Sequence, residues 1–208
     1  MTRLAPSMTR VARFVGAFGL VALVAGCATP SPPPVTAPAP SLPNFWSGRF
    51  AVTYTEAGYQ PREERSSGRF SLLAEGDRRE LELSSPLGQT MAQVTLDSGE
   101  ALLVASDGRQ FRATSAEALT EQAFGWRVPI GDLPRWLAGR VDRPTQRENG
   151  RVVAGTDGQW SVRFEAFDGE RPRRLSLEWP GARADGARRL ELKLVVDNVG
   201  RVAGDATQ

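Results

Sequence analysis

The chain contains no histidine in 208 residues and a single cysteine, Cys27. Without imidazole there is no Ser-His-Asp triad, and both the commonest general base and the commonest metal ligand are missing. One cysteine cannot form an internal disulfide or assemble a zinc cluster. No nucleophile elbow, Walker loop or dinucleotide fingerprint occurs. Carboxylates are plentiful, but they alternate with apolar residues or stand beside arginine, the pattern of a solvated surface. The chain is therefore not expected to be an enzyme, and no cofactor or metal is implied. Long apolar runs are missing too. Phe14–Ala25 spans only 12 residues, short of the roughly 20 a helix needs to cross a bilayer.

That run suits the apolar region of an export signal. Arg3, Arg10 and Arg13 precede it, no acidic residue occurs before Cys27, and Met8 offers a second possible start with an ordinary basic n-region. The run leads into Leu23-Val24-Ala25-Gly26-Cys27, which resembles the lipobox of bacterial lipoproteins. By that resemblance residues 1–26 are removed and Cys27 carries the lipid. Such lipoproteins often use Asp after the cysteine for retention in the inner membrane, and Ala28 stands there instead, which implies the outer membrane. Removing the three signal arginines leaves 23 Lys and Arg against 24 Asp and Glu, net −1. The basic isoelectric point thus comes partly from the signal and argues for no nucleic-acid partner.

Residues 27–44 read as the lipidated cysteine and a tether. Positions 28–43 hold 7 of the 15 prolines and no charge. Proline locks φ and cannot donate to a sheet, so this segment is expected to be extended. At about 3.1 Å per residue it reaches on the order of 50 Å. Residues 45–199 then supply roughly 155 residues, enough for one domain with its own core, and 200–208 form a small polar tail.

Period-two alternation dominates this domain. Leu190, Leu192, Leu194 and Val196 alternate with Arg189, Glu191, Lys193 and Asp197; Leu175, Leu177 and Trp179 alternate with Arg174, Ser176 and Glu178; Leu81 and Leu83 alternate with Glu80, Glu82 and Ser84. Each pattern is a strand with one buried and one wet face. Further strands are expected over residues 48–55, 68–74, 90–97, 101–105, 110–113, 151–154 and 159–164, separated by turn signals such as Glu75-Gly76-Asp77 and Ser106-Asp107-Gly108. About ten short antiparallel strands at this spacing make a barrel or a strongly curved sheet.

Two helical segments interrupt the strands. Thr114-Ser115-Ala116-Glu117 reads as a capping box opening a helix over about 115–124, with Gly125 as its stop. A second helix is expected over about 133–138, with Pro134 in its first turn and Gly139 after it. Helices inserted into a run of strands can cover an open sheet as a lid. The five tryptophans, Trp46, Trp126, Trp136, Trp160 and Trp179, are spread over strands and lid. Ordinary core is one use for them. The lining of a cavity is another, since a wide barrel that is not filled leaves one.

Four ordered segments resemble the LolB family of outer-membrane lipoprotein receptors: Trp46-Ser47-Gly48-Arg49-Phe50-Ala51; Leu83-Ser84-Ser85-Pro86-Leu87-Gly88-Gln89-Thr90; Gly125-Trp126-Arg127-Val128-Pro129-Ile130 followed by Leu133, Trp136-Leu137 and Gly139; and Arg189 through Asn198. The chain departs from the family at Phe70-Ser71-Leu72-Leu73 and at Val199, where Trp is frequent. The resemblance implies an unclosed barrel with a helical lid and a chain anchored in the outer membrane with its domain facing the periplasm. The expected receptor is a monomer. It takes lipoproteins from a soluble, LolA-like periplasmic carrier, holds their acyl chains in an apolar cavity, and inserts them into the membrane. The expected cavity residues are Trp46, Phe50, Leu81, Leu83, Trp126, Trp136, Trp160 and Trp179. The family's exposed Leu on a protruding loop maps onto Leu87, which Pro86 and Gly88 would hold out in a turn to touch the membrane; the other reading of Leu87 is a turn residue folded back onto the core. Two rivals share the barrel: an anchored carrier of lipid or glycolipid, and a structural envelope lipoprotein that holds no lipid.

Overall fold

A computed structural model describes residues 42–181 and 188–202. The signal segment, Cys27 and nearly all of the tether and tail lie outside the described residues. Eleven strands form one antiparallel sheet: β1 (Phe45–Glu56), β2 (Arg62–Glu75), β3 (Arg78–Ser84), β4 (Thr90–Asp97), β5 (Glu100–Ala105), β6 (Gln110–Ala113), β7 (Arg143–Glu148), β8 (Arg151–Asp157), β9 (Trp160–Asp168), β10 (Arg171–Trp179) and β11 (Arg188–Gly200). Their order across the sheet is β6-β5-β4-β3-β2-β1-β11-β10-β9-β8-β7. The first and last strands therefore pair at the centre, and β6 and β7 are the two free margins. The barrel is unclosed.

Alternation sets which face is buried. On β1, Trp46, Phe50 and Tyr54 point inward; on β11 Leu190, Leu192, Leu194 and Val196; on β9 Trp160, Val162 and Phe164. The residues between them are mostly charged or polar and wet, as period two requires. These inward side chains form a single core cluster with residues of the helical segment. The β1–β11 register shifts between Ser47 and Gly48. A Cβ on Gly48 would lie 2.0 Å from the Val195 carbonyl oxygen, so only glycine lets the two backbones approach so closely.

Between β6 and β7 the chain forms α1 (Ala116–Phe124), a 3₁₀ turn (Ile130–Asp132) and α2 (Leu133–Leu137). The α1 cap is Ser115, one residue later than the capping-box reading places it: its Oγ accepts the Ala118 amide at 3.2 Å. Gly125 ends α1 in the left-handed conformation, φ 82°, with its amide on the Glu121 carbonyl. Two strand features escape the alternation rule. All six residues of β7 are exposed, so it has no apolar period to read. β2 begins six residues before the expected 68, because Arg62–Ser67 is polar throughout.

Successive hairpins sort the turns to two ends of the barrel. The β1–β2, β3–β4, β5–β6 and β8–β9 turns share one end, here the mouth, and the β2–β3, β4–β5 and β9–β10 turns share the other, the floor.

Candidate functional site

An apolar cavity of about 490 Å³ opens on the concave face, within the roughly 300–1,000 Å³ of ligand pockets. Its wall comes from Phe50 and Val52 of β1, Phe70 of β2, Leu81 and Leu83 of β3, and Leu192 and Leu194 of β11. The helical segment roofs it with Thr120, Phe124, Trp126, Val128, Ile130, Leu133 and Leu137, while Glu64, Arg65, Ser66 and Met91 contribute at the rim. The register explains its position. The lining takes the mouthward residues of each strand, and the floorward ones, Trp46, Leu72 and Val196, are packed shut at 3% exposure or less.

Of the eight expected cavity residues, Phe50, Leu81, Leu83 and Trp126 line this space, and Trp46, Trp136, Trp160 and Trp179 do not. The reason is asymmetric filling. Trp46 pairs across to Leu72 and Val199 and plugs the floor. Helix α2 lies against β10, and the Trp136 ring packs on Trp160 with centroids 6.0 Å apart. Trp179 is held by a bond from its Nε1 to Gln159 Oε1, 3.1 Å. The β8–β10 half of the concave face is thus occupied by the lid itself, leaving the β1–β4 and β11 half open. Expectation from sequence missed the aliphatic roof, Val128, Ile130, Leu133 and Leu137. The apolar spacing of Ile130, Leu133 and Leu137 carries that signal.

The roof is fastened unequally. Asp157, buried at 8% exposure, accepts from Trp136 Nε1 at 2.8 Å and pairs with Arg135, which also reaches Asp142 and lies 3.3 Å from Asp132. Arg135 holds the Asp142 carboxyl below its ordinary range, whereas burial pushes Asp132 up despite the same guanidinium. Thr120 Oγ1 accepts the Val128 amide at 2.8 Å and donates to the Glu117 carbonyl at 3.2 Å, tying α1 to the connector. At the mouth, aromatic rings meet. Tyr54 stacks on Trp126 at 4.9 Å, and Trp126 on Phe124 at 6.0 Å. Burial, aided by the Glu56 carboxylate, raises the Tyr54 phenol.

Leu87 sits on the β3–β4 turn at the mouth end, 91% exposed. The turn is rigid. Gly88 donates to the Ser85 carbonyl at 2.9 Å, Ser85 to the Gln89 carbonyl at 2.8 Å, and Gly88 takes φ 86°. Pro86 at the second turn position and a left-handed Gly after Leu87 make a type I turn with a glycine bulge. Such a turn keeps Leu87 from folding back onto the core.

A half-barrel with an apolar chamber under a short helical roof defines a class: a container for greasy ligands that no active-site machinery accompanies among the described residues. Comparison with known proteins narrows it. The family model described as "Outer membrane lipoprotein LolB" matches residues 45–198. Curated relatives called outer-membrane lipoprotein LolB are similar along most of their length. The one from Bordetella petrii is 35% identical over 187 residues, covering 86% of this chain and 89% of that protein. The one from Cupriavidus pinatubonensis is 33% identical over 208 residues, covering 92% and 97%. A solved structure titled as the LolA superfamily protein NE2245 from Nitrosomonas europaea aligns with TM-score 0.45 and 11% identity, over 77% of this chain and 87% of that one. The chain belongs to the LolB family of outer-membrane lipoproteins.

Proposed function

We propose that this protein is a lipid-anchored receptor on the periplasmic side of the outer membrane, which accepts lipoproteins from a soluble carrier and inserts them into the bilayer. The observation that carries the reading is the placement of an open apolar cavity and a rigidly presented Leu87 at the same end of one barrel. Acyl chains cost about 0.8 kcal/mol per CH₂ left in water, so a multiply acylated cargo needs such a chamber to cross the periplasm. No nucleotide-binding motif is present, so transfer runs downhill from carrier to receptor to bilayer. Cys27 holds the receptor at the membrane, the tether lets the domain work above its surface, and Leu87 with Pro86 and Gly88 touches the bilayer as cargo leaves. The protein acts as a monomer and performs no chemistry on its cargo.

The test is a transfer assay. A soluble carrier loaded with labelled lipoprotein is mixed with the mature chain bearing Cys27→Ala, and cargo is followed. Movement of label onto this chain supports the receptor. Label that stays on the carrier, while the chain binds free lipid, makes it a general lipid carrier. Binding of neither makes it a structural lipoprotein.

A further inference from the structure

The sheet has an unused edge beside the mouth. β2 pairs with β1 over Arg62–Leu73, from Arg62 opposite Glu56 to Leu73 opposite Phe45. Its pairing with β3 begins only at Arg69, opposite Ser84. There β3 leaves the sheet and turns through Leu87. Gly68 permits a close approach to the end of β3, because a Cβ would lie 2.1 Å from the Ser84 carbonyl oxygen. From Arg62 to Ser67, six residues and roughly 20 Å of strand, the second edge of β2 has no strand partner among the described residues. Alternate backbone N–H and C=O groups along it have no hydrogen-bond partner among the described residues, which is a template for another strand. Its charges cancel within the strand, through the Arg62–Glu64 and Arg65–Glu63 ion pairs, so no one sign of partner is repelled. The same edge is continuous with the cavity, since Glu64, Arg65 and Ser66 line its rim.

We propose that the free edge of β2 over Arg62–Ser67 is a docking strand for the extended peptide that follows the acylated cysteine of an incoming lipoprotein. This rests on the receptor reading. The acyl chains and the first residues of a lipoprotein are covalently one object. When the chains lie in the cavity, the peptide must leave past the rim that β2 forms. Pairing through backbone groups also meets a requirement of a general receptor: it ignores side chains, so lipoproteins of any sequence can use it. Peptides with proline at the paired positions are the exception, because proline lacks the donor.

The test is amide hydrogen exchange on the mature chain carrying Cys27→Ala, with a triacylated octapeptide or with palmitate alone. Binding of either ligand is read independently from intrinsic tryptophan fluorescence, Trp126 lining the cavity. The lipopeptide is expected to slow alternate amides between Arg62 and Ser67 roughly tenfold or more, and palmitate to leave them unchanged. Backbone N-methylation of the lipopeptide at alternate residues is expected to weaken binding about fivefold per blocked bond. A bound lipopeptide that leaves these amides unchanged, or an N-methylated one that binds equally well, overturns the proposal while leaving the receptor reading intact. Protection without ligand that vanishes on deleting residues 28–41 assigns the edge to the chain's own tether. Protection that grows with protein concentration assigns it to a second copy. Either result overturns the proposal. Failure of both ligands to bind removes the receptor reading and this inference together.

Discussion

Replacing Leu87 by alanine separates folding from membrane work. The side chain is 91% exposed on a turn closed by backbone bonds from Gly88 to Ser85 and from Ser85 to Gln89. It contributes no buried area to the folded domain, so the change is expected to move stability by no more than about 0.5 kcal/mol. For a domain of this size that is about 2 °C or less in Tm. The cavity wall is also untouched, and uptake of cargo from the carrier is expected at the parental level. What is lost is the burial of one Leu side chain in the bilayer, about 1.5–3 kcal/mol, or roughly a 10- to 150-fold slower release into membrane. Leu87→Glu is expected to be more severe, since a carboxylate must be desolvated at the same depth. The assay compares two rates for each variant: loading from the carrier, and insertion of loaded cargo into liposomes. A fall of several degrees in Tm would refute the structural premise, because it means Leu87 packs on the core. Parental insertion by a folded Leu87→Glu protein would refute the membrane role.

Other perturbations follow from the same geometry. Gly48→Ala forces a Cβ to 2.0 Å from the Val195 carbonyl oxygen, and is expected to cost about 3 kcal/mol or more; a chemical-denaturation midpoint near the parental value would count against it. Asp157→Asn keeps an acceptor for Trp136 Nε1 but strips the buried charge from Arg135, whose side chain is 38% exposed. With that exposure screening the pair, the loss is expected near 1–2 kcal/mol, seen as a lower Tm with faster exchange of α2 amides, and an unchanged Tm contradicts the anchoring role. Trp126→Ala removes the middle ring of the Tyr54–Trp126–Phe124 stack, each ring pair being worth about 0.5–1.5 kcal/mol. It is expected to speed both entry and escape of an apolar fluorophore, and equal rates in both directions to the parent would show that the stack does not close the mouth. Asp132 has its folded-state pKa raised, chiefly by burial, so the folded protein holds that proton more tightly than the unfolded chain. This contribution favours folding as pH falls through the raised pKa and opposes it above. Asp132→Asn is therefore expected to be at least as stable as the parent at pH 7, with the advantage shrinking toward acid pH. A Tm at pH 7 below the parent's would show that the ion pair with Arg135 outweighs burial.

Strands such as β10 and β11 were legible because each has one wet and one buried face, which writes itself as alternation through Leu175 to Trp179 and Leu190 to Val196. The same physics hid β7 and the first half of β2. A strand with little apolar surface to bury, such as Arg143–Glu148 or Arg62–Ser67, carries no period. β7 is at a margin of the sheet and Arg62–Ser67 pairs with β1 alone, so backbone pairing rather than side-chain burial holds both. The α1 stop at Gly125 was readable from the left-handed requirement at a helix end, whereas its cap shifted by one residue because Thr114 and Ser115 can both serve.

The cavity divides the two levels of information most clearly. Composition and pattern alone led to the expectation of no catalytic machinery, of a lipid anchor and of an extended tether, and made legible a mostly β domain with two short helices. Those are consequences of local chemistry: missing imidazole, proline-locked φ, and period two. Which aromatic rings line the chamber was decided only in three dimensions. Trp126 stands at the mouth and Trp136 is consumed in holding the roof to Asp157, although both lie in one segment of similar composition. Tertiary packing made the difference, because the lid fills one half of the concave face, and whatever faces that half becomes core rather than cavity.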